Sequence, residues 1–184
     1  MILNERDNRH AHVLAVAAQM MTAARTAPKG KGIDVVEIAL VEGDDDIRRL
    51  SELTRVKGEE TGLKFMLRDA ENILQAETVV LIGTRTQVQG LNCGYCGVPS
   101  CEAKLENEKM PCAINMVDLG IAVGSAVATA ADLRVDTRVM FSVGFAVKEL
   151  GYLAGCHSIY AIPVSASSKN PFFDRRPREE PKEK

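Results

Sequence analysis

The chain has 184 residues, enough for one domain with a real core, and 46% of them are hydrophobic. Aromatic content is only 4%, with no Trp, so that core must be built from Ala, Val, Leu, Ile and Met. A net charge of −2 excludes a whole-protein field that would attract nucleic acid or an anionic membrane. The start, MILNERDNRH, lacks the apolar run of a secretory signal, and no stretch reads as an uninterrupted membrane span. The expected compartment is the cytoplasm, where thiols stay reduced. Five cysteines there point to metal or redox chemistry before disulfides.

In chain order, residues 10–27 read as a helix. Val13, Leu14, Val16, Ala17, Met20, Met21 and Ala24 form an apolar stripe at helical spacing, and Asn8 is the candidate cap. Pro28 and the glycines of KGKG end it. Residues 35–41 (VVEIALV) suit a buried strand. Residues 44–57 suit a charged amphipathic helix with Ile47, Leu50, Leu53 and Val56 on one face, its acidic start favouring the helix dipole. A further helix is expected over 64–75. Residues 78–83 (TVVLIG), β-branched and almost wholly apolar, read as a strand central in a sheet.

Residues 84–111 show no regular hydrophobic period and hold most of the cysteines. A connection that long needs its own source of order, which a metal centre would supply. A long helix follows over 113–133, apolar nearly all round and dense in Gly, Ala, Ser and Thr, hence expected to be buried on several sides. A short strand (137–141), a short helix (144–150) and a last strand (158–165) lead to a polar tail over 171–184, whose mixed charges and prolines suit a solvated segment. The order of elements gives a single α+β domain with helices packed on one sheet.

The cysteines fall in the pattern C-x2-C-x4-C-x10-C, as Cys93, Cys96, Cys101 and Cys112. A cluster needs thiolates converging from several directions, and Gly94 and Gly97 let the backbone turn and bring peptide N–H groups to the sulfurs. Pro111 restricts the approach to the fourth cysteine, and a helix starting near Ala113 would aim its positive end at an anionic cluster. Four thiols could also close a structural zinc site, although zinc knuckles often repeat C-x2-C and this chain has one such pair. Within the cluster reading a four-iron cubane is favoured over a two-iron rhomb. Cys156 beside His157 admits a catalytic pair or a buried structural thiol. His10 and His12, two residues apart, do not share a helix face.

The stretch 92–101 resembles the small four-iron cluster domain of corrinoid iron–sulfur proteins, whose hallmark is CGxCGxxxC followed by a distant Cys-Pro. The fourth cysteine departs from it, lying closer and following its proline. Over most of its length the chain resembles the nitroreductase fold, a flavin-binding homodimer of three layers. AARTAPKG matches the end of that family's first core helix, and VVEIALV, TVVLIG and the long helix follow its order. The cysteine segment, 84–112, is then an insertion in that scaffold. The phrases AARTAPKGKGID and SSKNPFFDR are closer still to an uncharacterised group of bacterial and archaeal proteins described as containing a ferredoxin domain.

That resemblance implies FMN held by the cations of the loop and tail: Arg25, Lys29, Lys31, Lys169 and Arg175, with Arg176 beside it. The family's N-terminal arginine-serine run is missing, and Gly32, Ile33 and Asp34 replace its Asn and aromatic residues. The expected function is an iron–sulfur redox protein, flavin-linked if FMN binds, acting with a partner redox protein as a homodimer. The alternatives are a non-enzymatic binding or assembly module stapled by a four-cysteine metal site, and a flavin-only reductase.

Overall fold

The computed structural model describes residues 1–107 and 109–173. In chain order its elements are α1 (Glu5–Thr26), β1 (Val36–Glu42), α2 (Asp44–Thr61), α3 (Lys64–Ile73), β2 (Thr78–Arg85), α4 (Cys101–Leu105), α5 (Ala113–Asp132), β3 (Asp136–Thr137), α6 (Phe141–Leu150) and β4 (Cys156–Ser165). The strands form one antiparallel sheet in the order β1-β2-β4-β3.

The apolar TVVLIG run does become a central strand. Every β2 residue but Arg85 is buried, and β1 and β4 pair on either side, with Ile38 opposite Ile82 and Ile162 opposite Val80. Alternation along the strand divides the core. Val80 and Ile82 join Ile162 and Val164 against α1 and α5, where Val13, Ala17, Met20, Leu119, Ala122 and Ala126 meet them. Val79 and Leu81 join Ala161 on the other face, against Ile47 and Leu50 of α2, Ile73 of α3 and Val143 and Val147 of α6. The result is a three-layer α+β fold, as expected. At Gly144 the α6 backbone lies so close to β4 that any Cβ would collide with the Ile159 carbonyl.

The differences are local. The first helix begins at Glu5, capped by Asn4, whose side chain accepts from Arg6 N at 3.1 Å, while Asn8 donates to the Asn4 carbonyl instead. Its first turn is polar and exposed, so hydrophobic period could not reveal it. The strand expected over 137–141 is only Asp136–Thr137 plus a bridge from Met140 to Ala161, because α6 already starts at Phe141. The cysteine segment is not wholly irregular, since it contains α4.

The long helix also departs from expectation. α5 buries one face on α1 and the sheet but leaves Val117 56% and Ile121 39% exposed, with Gly120 and Gly124 on that same open side. By length and hydropathy α5 could cross a membrane, contrary to the sequence reading, yet it is packed as a core helix around buried Asn115 and Asp118.

Candidate metal centre

Beyond β2 the chain turns repeatedly through left-handed conformations at Gly90, Asn92, Gly94 and Gly97 (φ 69°, 47°, 71° and 85°). Glycine makes two of these turns directly after Cys93 and Cys96, as the spacing suggested. Cys101 then opens α4, capped by Ser100, whose hydroxyl accepts from Ala103 N at 3.1 Å. Cys112 is the N-cap residue of α5.

All four cysteines line one small pocket, together with Val88, Asn92, Val98 and Lys104. Cys93 is exposed, Cys96 and Cys101 half-buried and Cys112 buried, and none is in a disulfide. Asn92 N–H donates to Cys101 Sγ at 3.4 Å, and Asn92 Oδ1 accepts from Cys101 N at 2.8 Å. The thiols share the pocket without closing on one point: among the described residues no three Cys, His, Asp or Glu side chains stand close enough to hold a metal ion. The donor chemistry fits a thiolate-bound metal group, and two of the thiols sit at helix starts, α5 having no acidic residue in its first turn.

What holds this segment is side chain to backbone. Asn115, 1% exposed on α5, donates to the Gln87 carbonyl at 2.5 Å and accepts from Gln89 Nε2 at 2.9 Å. Lys104 donates to the Thr86 carbonyl at 2.8 Å, and Lys31 to the Gln89 carbonyl at 3.1 Å. Sequence reasoning missed Asn115, Lys104, Gln89 and Asn92. Asn115 alone carried a weak signal, as a polar residue in an otherwise apolar helix.

The expected flavin cations are only partly gathered, and each described one is already engaged. Arg25 pairs with Asp34 at 2.6 Å and donates to the Val36 carbonyl. Lys29 closes the carbonyls of Ala24 and Arg25 at 2.8 and 2.5 Å, and burial holds its amine below the ordinary range. The Gly30 N–H, which a phosphate would want, is taken by both Asp118 oxygens at 3.0 Å. Lys169 lies beyond β4, with its carbonyl accepting from Ser167, and Arg175 and Arg176 fall outside the described residues, as does most of the expected tail. As a phosphate cradle within this chain, the described members of the set do not fit.

A larger cleft of about 340 Å³ opens nearby, walled by Phe141, Phe145, Ile159, Tyr160 and Met116, with Lys148, His157 and Ser158 as its polar groups. Met116 stands one helical turn after Cys112, to whose carbonyl its N–H donates at 3.1 Å. Burial first, then the Lys148 and Lys104 charges, hold His157 below its ordinary value, while a hydrogen bond to the Lys109 backbone opposes them. Cys156 faces away, into the core under Gly83, and burial, with the Glu37 carboxylate adding, pushes its thiol up to about 11. Such a thiol is no nucleophile at neutral pH.

The family model described as "Uncharacterized protein containing a ferredoxin domain (DUF2148)" matches residues 109–175, a stretch that includes Cys112. An uncharacterized protein of Archaeoglobus fulgidus is 40% identical over 186 residues, covering 97% of this chain and 100% of that one. The chain belongs to this ferredoxin-domain family. The fold of this family member is nitroreductase-like. A nitroreductase-like protein from Streptococcus mutans superposes with a TM-score of 0.60 at 14% identity, covering 91% of this chain and 83% of that one. A BluB-like flavoprotein from Clostridium difficile 630 gives 0.58 at 17% identity, covering 91% and 85%. An FMN-dependent nitroreductase from Clostridium difficile R20291 gives 0.56 at 16%, covering 84% and 76%.

The burial of Cys156 yields a direct prediction for this ferredoxin-domain protein. In native, reduced, metal-free protein at pH 8, iodoacetamide labels Cys93 first and Cys96 and Cys101 next, and it reaches Cys156 only after denaturation. Peptide mapping that finds Cys156 alkylated as fast as Cys93 contradicts the assignment of Cys156 to the core.

Proposed function

We propose that this chain is a redox protein that holds an iron–sulfur cluster on Cys93, Cys96, Cys101 and Cys112 and exchanges single electrons with an acceptor at the adjoining cleft or on a partner protein. The observation that carries the reading is the shared pocket of the four thiols. Membership of a family described as containing a ferredoxin domain supports it.

A cluster bound there would supply one-electron transfer. The chain's own groups would do the rest. The Asn92 N–H would hydrogen-bond to a ligand sulfur, which favours the more negative, reduced state. The exposed edge at Cys93 would meet a partner protein, while Cys112 and Met116 would lead through one turn of α5 to the cleft. Its aromatic walls, the Lys148 ammonium and the His157 ring suit a planar, anionic acceptor. Two of the similar structures are described as a flavoprotein and an FMN-dependent enzyme, which makes flavin a candidate for that acceptor. The described cations among those expected for its phosphate are engaged elsewhere, so the proposed path ends at the cleft rather than at a bound flavin.

A second copy of the chain is proposed to cover the open face of α5. Val117 and Ile121 are large apolar groups left in water, and a Cβ added at Gly120 or Gly124 would meet nothing within 4 Å, so a second backbone could approach closely. On this reading the wild type runs as a dimer in light scattering and Val117→Glu as a monomer. A monomeric wild type refutes it.

The cluster reading is tested by purification without oxygen and assay of iron, acid-labile sulfide, zinc and flavin. Iron and sulfide in comparable amounts are expected, with both falling at least tenfold in Cys101→Ser. Zinc without sulfide would leave a structural staple instead.

A further inference from the structure

Lys104 is a fully buried lysine, at 2% exposure. It lies three residues after Cys101 on α4 and lines the pocket that the four cysteines share. Its ammonium donates to the Thr86 carbonyl at 2.8 Å, and among the described residues no carboxylate pairs with it. Several other cations meet carboxylates: Arg138 meets the buried Asp69 at 3.2 Å, Arg25 meets Asp34, and Lys57 meets Glu60 and Glu149. Lys29 and Lys31 also donate to carbonyls, but neither is fully buried.

A buried charge with only a neutral partner is strongly unfavourable, because a single carbonyl replaces little of its lost hydration. Such a lysine is retained where an anion comes to meet it. Four thiolates around either a zinc ion or an oxidised cluster core leave a net negative charge, and one-electron reduction makes it more negative. We infer that Lys104 is the counter-cation of the four-thiol pocket, drawing metal into it and raising the reduction potential of a cluster held there. The inference rests on reading that pocket as a metal centre. Its sign is fixed by electrostatics: a nearby positive charge stabilises the reduced state more than the oxidised one.

The test uses the full chain with Lys104→Met and Lys104→Arg. Three quantities are read: Co²⁺ affinity of the reduced, metal-free protein from its thiolate-to-cobalt absorption, midpoint potential of the iron-loaded protein, and melting of the metal-free protein. In Lys104→Met, Co²⁺ affinity is expected to fall at least tenfold. The ratio of reduced to oxidised cluster is expected to fall about tenfold, or about 59 mV for one electron. Lys104→Arg keeps both within threefold. Metal-free Lys104→Met melts within a few degrees of wild type, because relief of the unpaired charge offsets the hydrogen bond lost at Thr86.

Unchanged Co²⁺ affinity and potential with a lower metal-free melt would overturn the inference and leave Lys104 as a tether for Thr86. Wild type that binds Co²⁺ through its thiols but returns no iron or sulfide contradicts the cluster reading alone, and the cobalt arm still decides the role of Lys104. Wild type that binds neither metal overturns both.

Discussion

Once β2 leaves the sheet at Arg85, its backbone carbonyls have no strand to pair with, and three side chains from separate parts of the chain take them. Lys104 reaches back from α4 to Thr86, Asn115 from α5 to Gln87, and Lys31 from the loop after α1 to Gln89. This clasp of part-buried hydrogen bonds ties the start of the cysteine segment to α4, α5 and the loop after α1. Cys93 and Cys96 then line the same pocket as Cys101 and Cys112, which stand at helix starts. Losing the Asn115 amide would leave buried partners unmet, at a cost of about 1–3 kcal/mol.

The clasp also joins regions that are distant in sequence. α5 begins at Cys112, anchors the clasp through Asn115, supports the cleft through Met116 and holds the Gly30 turn through Asp118. The same helix leaves an apolar side uncovered, the side on which a second copy is proposed to sit.

The sheet and its layers were legible because their signal is periodic. TVVLIG admits no position but the centre of a sheet, and its alternating side chains match the division of the core into two clusters. The cysteine spacing, with Gly94 and Gly97 at left-handed turns, was legible for a stereochemical reason. Features resting on single side chains were not. Nothing in the local sequence says that Lys104 is buried or that Asn115 hooks a carbonyl 28 residues earlier in the chain. Lys29 and Arg25 looked free for a phosphate because their internal partners, the end of α1 and Asp34, are set by folding. The open side of α5 was hidden for the opposite reason, since an apolar helix reads the same whether its second face meets its own chain or another.

The most direct measurement of the central claim is electron paramagnetic resonance of anaerobically purified protein before and after reduction with dithionite. The account predicts a low-temperature iron–sulfur signal that appears on reduction, integrates to about one spin per chain and is lost in Cys93→Ser and Cys101→Ser. A protein that carries its full complement of metal yet stays silent through reduction, with the same absorption spectrum before and after, would contradict it.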